Sequence, residues 1–272
     1  MADFPTRGIP LPFAGGHLYY RKISFGAGPV TVWIHGFLEN SNMWSPIFPA
    51  LRPDGNHLLL DLPGHGDSDV FDTIHTMDFM ADCVKAMLDF EGIDAPVRVI
   101  GHSMGGYVAL AFAERYSEFL SAINLYHSTS FSDTEEKKEN RNRAIEAIEE
   151  GRTFFVKSSV ENLFAASLRK DLQKEINLAT KWALQTKPKG ISSALAGMRD
   201  RPDRTSVFNS TANAFAIVGM LDPAVDPIKE SSFLAQNPQI ESVIIEEVGH
   251  MSHLENTDAA VRALTHFLNE TS

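Results

Sequence analysis

The sequence predicts an α/β protein in which a mostly parallel sheet is covered by helices on both faces. Short runs rich in β-branched and other apolar residues alternate with segments of helical periodicity, a pattern typical of β-α units. Most of the later runs are continuously apolar rather than alternating, as expected for strands that are buried on both faces. The chain has 272 residues and is 43% hydrophobic, which is sufficient for a large buried core.

Seven strands and a helix are predicted in the regular part of the chain. The strands are His17–Ser24, Val30–His35, His57–Leu62, Val97–Gly101, Ala122–Tyr126, Ala214–Gly219 and Ser242–Glu246. The helix spans Met77–Phe90, and Gly92 follows it as a terminator. Cys83 lies in its apolar pattern, which favours a packed core residue over a reactive thiol. The positions at helical spacing are Phe79, Met80, Cys83, Met87 and Phe90.

The pattern changes between residues 129 and 205. Asp133–Glu150 is a highly charged helical run, and three more helical stretches follow up to about Arg199 without an intervening strand. The mixed charges of Glu135 to Glu139 indicate a solvated helix face. We therefore predict a core formed by residues 1–128 and 206–272, with a helical cap formed by residues 129–205.

The most informative segment joins a buried strand to an apolar helix through the turn Gly101-His102-Ser103-Met104-Gly105. Gly101 and Gly105 lack Cβ atoms, so strand and helix can approach closely around a strained turn that exposes the Ser103 hydroxyl. The helix dipole and the free N–H groups at the start of the helix favour negative charge that develops on a substrate. We therefore predict that Ser103 is a nucleophile.

A serine nucleophile needs a general base, and a carboxylate has to hold that base in one tautomer. Where the serine lies on such a turn, the acid and then the histidine follow it in the chain, each on a loop after a strand. His250 fits because it follows the last predicted strand and because Gly249 allows a tight approach. His253 is the alternative, although a structural or pocket-lining role explains it more simply.

Asp222 is the favoured acid because it comes just after the strand Ala214–Gly219. Asp226 is the alternative, but its place beside Pro227 suits a helix N-cap. Asp61 precedes the serine in the chain and belongs to a turn, where a structural hydrogen-bonding role is expected.

An oxyanion needs two donors, one from the residue after the nucleophile and one from a loop after an early strand. Met104 supplies the first backbone N–H. Phe37 supplies the second, because Gly36 allows the chain to bend towards the serine. We expect the flanking His35 and His102 to brace these loops rather than to transfer protons.

Five motifs taken together resemble the α/β-hydrolase superfamily, and they cover roughly residues 15–128 and 206–271. The resemblance implies an eight-stranded sheet, a helical cap after the sixth strand, a Ser103-Asp222-His250 triad and the Phe37 and Met104 oxyanion donors. Serine at position 103 differs from the aspartate of the haloalkane dehalogenase and epoxide hydrolase branches. The motifs are His35-Gly36-Phe37, Asp61-Leu62-Pro63-Gly64-His65-Gly66-Asp67-Ser68, Gly101-His102-Ser103-Met104-Gly105-Gly106, Gly219-Met220-Leu221-Asp222 and Gly249-His250.

Composition argues against several classes of protein. Lys and Arg number 24 and Asp and Glu 35, so the net charge of −11 and the lack of a basic stripe argue against a nucleic-acid partner. One cysteine excludes a disulfide framework, the histidines lack zinc-ligand spacing, and the turn at Gly101–Gly106 matches no nucleotide fingerprint. We therefore expect neither a metal nor a cofactor. The start lacks a signal pattern and no apolar run reaches bilayer length, so we expect a cytoplasmic protein without a membrane partner.

These observations predict hydrolysis of a small to medium carboxylic ester or related acyl compound through an acyl-enzyme. Two alternatives stay open: a C–C bond hydrolase or cofactor-free perhydrolase or lyase with the same triad, and a ligand-binding receptor or scaffold on the same fold. A peptidase is less favoured because nothing indicates an extra domain or an anchor for a peptide terminus. The sequence leaves open whether the protein is a monomer or a homodimer.

An apolar substrate pocket is predicted between the cap and the core loops. An acidic chain does little to attract an anionic substrate, although one local arginine can reverse that. The candidate lining residues are Phe131, Met220, Leu221 and Met251, together with Phe154, Phe155, Leu163, Phe164 and Trp182.

Overall fold

One sheet organises the described part of the chain. The computed structural model describes residues 4–51, 54–71 and 74–271, except for the side chains of residues 149–152. Within these residues eight strands form a sheet in the order β1-β2-β4-β3-β5-β6-β7-β8. The strands are β1 (Ile9–Phe13), β2 (Gly16–Ser24), β3 (Val30–Ile34), β4 (Asn56–Asp61), β5 (Val97–His102), β6 (Leu120–Tyr126), β7 (Ala214–Gly219) and β8 (Glu241–Ile245).

The sheet is antiparallel at one edge and parallel elsewhere. β1 pairs antiparallel with β2 and β2 antiparallel with β4, whereas every later pair is parallel. Every residue of β5 and β7 is buried, in agreement with their continuously apolar sequences. The predicted class, a mostly parallel eight-stranded sheet flanked by helices, is therefore confirmed.

The first strand is absent from the strands predicted by pattern alone. Pro10 and Pro12 lie in β1 and lack the N–H that a strand usually donates. β1 is an edge strand, so only one of its sides needs backbone N–H donors for pairing. The backbone nitrogens of residues two apart in a strand face the same side, so both prolines can face away from β2. Prolines that would argue against a central strand are therefore compatible with an edge strand.

Helices cover both faces of the sheet. The predicted helix Met77–Phe90 is found with those bounds, and the Thr76 side chain caps it by accepting from the Phe79 N–H. Cys83 is buried as expected, but the Phe90 side chain is 53% exposed and does not belong to the apolar face. The helices are α1 (Phe48–Leu51), α2 (Met77–Phe90), α3 (Met104–Arg115), α4 (Glu135–Glu161), α5 (Gln173–Ala183), α6 (Pro188–Arg199), α7 (Thr205–Ser210), α8 (Pro227–Gln236), α9 (Ser252–Glu255) and α10 (Thr257–Glu270).

The segment between β6 and β7 is helical, but its division differs from the prediction. The charged run continues well past Glu150, so that α4 extends to Glu161, and only α5 and α6 follow before residue 200. Residues 163–172 form successive tight turns with backbone hydrogen bonds such as Leu168 N–H to Ala165 O. The division into core and cap stays a prediction. None of the described helices has the length and apolarity needed to cross a membrane.

Close packing fixes this helical segment against the loops after β4. A Cβ added to Gly197 of α6 would lie 1.8 Å from the carbonyl oxygen of His75, and one added to Gly190 would lie 2.4 Å from that of Gly64. The two glycines are seven residues apart and therefore lie on the same face of α6, which allows the helix to pack directly on the core backbone. α4 packs in turn on α6.

Candidate active site

Ser103 lies on a strained turn between β5 and α3. Its backbone has φ 50° and ψ −117°, a conformation that residues other than glycine rarely adopt. The neighbouring glycines are required for space, because a Cβ on Gly101 would lie 2.3 Å from Gly105 O and one on Gly105 would lie 2.3 Å from Ile34 O. The tight strand-to-helix turn that the sequence predicts is therefore present, and α3 begins at the next residue, Met104.

His250 and Asp222 are brought together from two neighbouring loops. The Nδ1 atom of His250 lies 2.8 Å from Oδ2 of Asp222, and both side chains are buried. The other carboxylate oxygen accepts from the N–H groups of Ala224 and Val225 at 2.8 and 2.9 Å. Burial alone raises the pKa of Asp222, but the adjacent His250 and His127 rings lower it below its ordinary range. An ionised carboxylate only accepts hydrogen bonds, so Nδ1 of His250 carries the proton and Nε2 is the basic atom.

Ser103 and His250 open onto one cavity of about 320 Å³. In the described part of the chain neither the Ser103 Oγ nor the His250 Nε2 has a hydrogen-bond partner, so a substrate that enters this cavity meets both. Contacts between a nucleophile and its base often tighten only when substrate is bound.

The two expected oxyanion donors lie on elements next to the serine. A Cβ on Gly36 would lie 3.1 Å from the Cβ of Ser103, so the loop that carries Phe37 passes close to the nucleophile. Phe37 lines the cavity. The N–H of Met104, as the first residue of α3, has no acceptor within its own helix.

The three alternatives to members of this triad lie in structural positions. Asp226 caps α8 by accepting from the N–H groups of Ile228 and Lys229. His253 is fully buried and does not line the cavity, although its Nε2 lies 3.8 Å from Glu39. Asp61 accepts from the N–H and hydroxyl of Ser41 at 2.7 and 2.5 Å. These contacts match the structural roles expected for the three residues.

Glu39 is a buried carboxylate that sequence reasoning did not single out. Its Oε2 accepts from the Gly36 N–H at 2.7 Å and from Nδ1 of His102 at 2.7 Å. The Nε2 of His102 in turn donates to the backbone oxygen of His250 at 2.9 Å. One carboxylate and one imidazole therefore connect the oxyanion loop, the nucleophile turn and the histidine loop. The only signal in the sequence is an acid three residues after Gly36.

This connection requires a charged histidine. Both ring nitrogens of His102 face acceptors, so both carry hydrogen. Burial lowers the pKa of His102, but the adjacent Glu39 outweighs this and raises that pKa above its ordinary value. Burial likewise raises the pKa of Glu39, but the adjacent His102 outweighs this, so that the pKa of Glu39 falls to about 2. His35 also braces the loops as expected: its Nδ1 lies 2.7 Å from Gly36 O, and its Nε2 accepts from the Leu62 N–H at 2.9 Å.

Glu39, His102 and His253 are close enough to be considered as a metal site, since their ligand atoms lie within 4.8 Å of one another. Both nitrogens of His102 are committed to hydrogen bonds, which leaves it no lone pair for a metal. A hydrogen-bonded ion pair explains the arrangement of Glu39 and His102 better than a metal site.

Most of the predicted pocket residues do not line this cavity. Phe155 and Leu163 do, whereas Phe131 packs against Phe233 with ring centroids 5.4 Å apart. Phe154 and Leu221 are 81% and 44% exposed. The direction of each side chain depends on the rotation of α4 and on loop paths, which the sequence pattern does not determine. The remaining predicted residues outside the cavity lining are Met220, Met251, Phe164 and Trp182. Lining residues that the sequence analysis missed include Tyr107, Asn140, Ala144, Leu195, Met198 and Val225.

Comparison with known proteins agrees with this fold. A family model described as alpha/beta hydrolase fold matches residues 29–257. The chain belongs to the α/β-hydrolase family. A dihydrolipoyllysine-residue acetyltransferase component of the acetoin cleaving system of Pseudomonas putida is 26% identical over 94% of this chain and 68% of its own length. The 3-oxoadipate enol-lactonase 1 of Acinetobacter baylyi is 25% identical over 88% of both chains. Several other curated relatives match over less than half of their length.

A solved structure of an esterase is similar over nearly the whole chain. The thermophilic esterase from Thermogutta terrifontis superposes with a TM-score of 0.88 and 27% identity, covering 98% of this chain and 99% of its own. Family membership together with this esterase supports hydrolase activity.

Proposed function

We propose that this α/β-hydrolase cleaves small to medium carboxylic esters through an acyl-enzyme formed on Ser103. The observation that carries the proposal is the convergence of a strained serine turn and the buried Asp222–His250 pair on one cavity. Each feature alone has structural explanations, but together they supply a nucleophile, an oriented base and a space for substrate.

In the proposed mechanism, Ser103 Oγ attacks the ester carbonyl while Nε2 of His250 takes the hydroxyl proton. The N–H groups of Phe37 and Met104 donate hydrogen bonds to the tetrahedral oxyanion. His250 then gives the proton to the leaving alcohol, and water attacks the acyl-enzyme in a second half-cycle. Asp222 stabilises the imidazolium formed in each half-cycle and stays ionised.

The cavity limits the size of the substrate. A volume of about 320 Å³ lies at the lower end of the range of small-molecule sites, which favours a small to medium acyl compound. The same residues would also support C–C bond cleavage or a perhydrolase or lyase reaction, and a substrate panel separates these from ester hydrolysis.

Labelling with a fluorophosphonate and turnover of a p-nitrophenyl ester test the proposal. Ser103→Ala should abolish labelling and lower kcat by about 10⁴-fold or more, as is typical of triad nucleophiles. Ser158→Ala, on α4 outside the cavity lining, should retain both signals. Unchanged turnover in Ser103→Ala would exclude the mechanism. Tight binding of a metabolite by a wild-type protein that hydrolyses no ester would favour a receptor instead.

A further inference from the structure

The walls of the cavity carry positive charge although the protein is acidic. The whole chain has a net charge of −11. The described residues that line the cavity nevertheless include Lys137 and Arg141 and no aspartate or glutamate. The lining of this cavity is therefore cationic in an acidic protein, and such local charge affects which ligands are attracted.

Both cations lie on the face of α4 that the cavity meets. Lys137, Arg141 and Ala144 are spaced by four and three residues and therefore share one side of the helix, and all three line the cavity. The same side continues further along the helix to Phe155 and Ser159, which also line it. The helix thus presents a wall that is cationic near its start and mostly apolar further along.

Lys137 has no carboxylate partner among the described residues. Its ammonium donates to the backbone oxygen of Ala224 at 3.2 Å, and a carbonyl does not neutralise its charge. The adjacent Lys138, by contrast, pairs with Glu135 at 2.8 Å and does not line the cavity. Lys137 is exposed, and no described carboxylate lies within ion-pair distance of it, so its ammonium can pair with an anionic ligand.

Arg141 belongs to a group of charges with a positive excess. It pairs with Asp133, which is buried and also accepts from Arg201 at 2.7 Å. One carboxylate thus serves two guanidinium groups. Glu230 on α8, which does not line the cavity, accepts a hydrogen bond from Thr129, and burial raises its pKa to about 7, so it is only partly ionised near neutral pH.

The cationic wall is connected to the loop of the triad acid. The Ala224 that accepts from Lys137 also donates its N–H to Asp222 at 2.8 Å. The ammonium therefore lies beside the loop that positions His250, and Lys137 lines the same cavity as Ser103. An anionic group placed there would form charge-assisted hydrogen bonds with the two cations.

We propose that the substrate carries a carboxylate besides the ester that is cleaved, and that Lys137 and Arg141 bind this carboxylate. The inference rests on the proposed ester hydrolysis and narrows it to half-esters of small dicarboxylic acids and to compounds of the same charge pattern. The apolar part of the α4 wall then accommodates the short chain between the two groups.

The decisive measurement compares kcat/KM for two matched esters. One is monomethyl glutarate, and the other is the neutral analogue in which a primary amide replaces the carboxylate. The wild type should prefer the anionic ester, and Lys137→Met should reduce this preference by about threefold to fivefold, the loss expected for one ion pair at an exposed side chain. Lys137→Arg should retain most of it. Lys138→Met, the matched control, should leave the ratio unchanged.

The salt dependence gives a second readout of the same contact. Screening lengths fall from about 10 Å at 0.1 M to about 3 Å at 1 M ionic strength, so the wild-type preference should decrease with salt. The preference of Lys137→Met, which keeps only Arg141, should decrease less. Hydrolysis of p-nitrophenyl acetate by Ser103 with equal use of the two matched esters would overturn the carboxylate site and leave the proposed function intact.

Binding measurements decide the question if no ester is hydrolysed. The absence of any ester hydrolysis would refute the proposed function. The carboxylate site can still be tested, because calorimetric titration measures the binding of glutarate without turnover. Binding by the wild type that is weakened in Lys137→Met and retained in Lys138→Met would support the carboxylate site. A wild type that does not bind glutarate, or a Lys137→Met variant that binds it equally well, would refute it.

Discussion

Two buried pairs of a histidine and a carboxylate meet at the candidate active site, and they are built alike. Nδ1 of His250 lies 2.8 Å from Asp222, and Nδ1 of His102 lies 2.7 Å from Glu39. The two imidazole rings are neighbours, with centroids 4.9 Å apart. Their difference lies at the second nitrogen of each ring.

The Nε2 atom of His102 donates to the backbone oxygen of His250, whereas no described protein group binds the Nε2 of His250. A ring with acceptors on both nitrogens stays protonated and holds its neighbours in place. A ring with one acceptor and one open nitrogen can take and release a proton. A buried pair of histidine and carboxylate is therefore suited to proton transfer or to positioning according to what the second ring nitrogen meets.

Breaking the first pair should have the largest effect. Asp222→Asn leaves the shape of the site but removes the charge that selects the tautomer and stabilises the imidazolium, so kcat should fall by about 10⁴-fold. Ester turnover measures this loss. Asp226→Asn, which changes only the cap of α8, is the control and should keep kcat. A comparable loss in both variants would contradict the assignment of Asp222.

Breaking the second pair should reduce stability and rate together. His102→Phe leaves Glu39 buried without its cation, and losing one partner of a buried pair typically costs about 3–5 kcal/mol of unfolding free energy. Urea unfolding measures that cost. The double variant Glu39→Leu with His102→Phe should recover much of the stability, because no unpaired charge remains.

The rate distinguishes positioning from stability alone. In the double variant kcat should stay below that of the wild type by about tenfold or more, because the His250 carbonyl has lost its donor and small displacements at a reacting centre are costly. KM should change less than kcat. A stable double variant with wild-type kcat would show that the Glu39–His102 pair has only a structural role.

The other buried histidines predict how stability responds to acid. Burial lowers the pKa of His65 and His253 to about 3 and that of His127 to about 4, from an ordinary value of 6.5. Below pH 6.5 the unfolded chain binds protons that the folded chain does not, so stability should fall as the pH drops towards 4. Each histidine contributes a slope of about 1 kcal/mol per pH unit.

A variant at His253 sharpens this prediction, since both of its ring nitrogens lack hydrogen-bond partners in the described structure. His253→Leu should make the decline of the unfolding temperature between about pH 6 and pH 4 shallower, because one buried base is removed. His266→Gln alters a half-exposed histidine that pairs with Glu241 and should leave the slope unchanged. Equal slopes for wild type and His253→Leu would show that His253 does not contribute.

Much of the catalytic core could be predicted from the sequence because its constraints are local. Buried parallel strands are continuously apolar, and β7 was predicted with its observed bounds. Gly101 and Gly105 are needed where backbone atoms approach closely, so the turn at Ser103 is visible in the motif itself. The proximity of His250 and Asp222 could be predicted because loops that follow neighbouring parallel strands meet at one edge of the sheet.

The cavity wall could not be predicted in the same way. The sequence favours apolar residues such as Phe131 and Phe154 for the lining, but which side of α4 meets the cavity depends on how that helix packs against α6. Only the packed structure shows that the face with Lys137 and Arg141 is the one that lines it.

The sequence by itself determined the α/β class, the nucleophile turn and the candidate triad, because backbone geometry and chain order restrict these features to a few residue types. The tertiary structure decided the role of Glu39 and the charge of the cavity. Those properties arise between residues far apart in the chain, as when Glu39 meets His102 across 63 positions. A charge or a hydrogen bond of that kind depends on distance and burial, which exist only once the chain is folded.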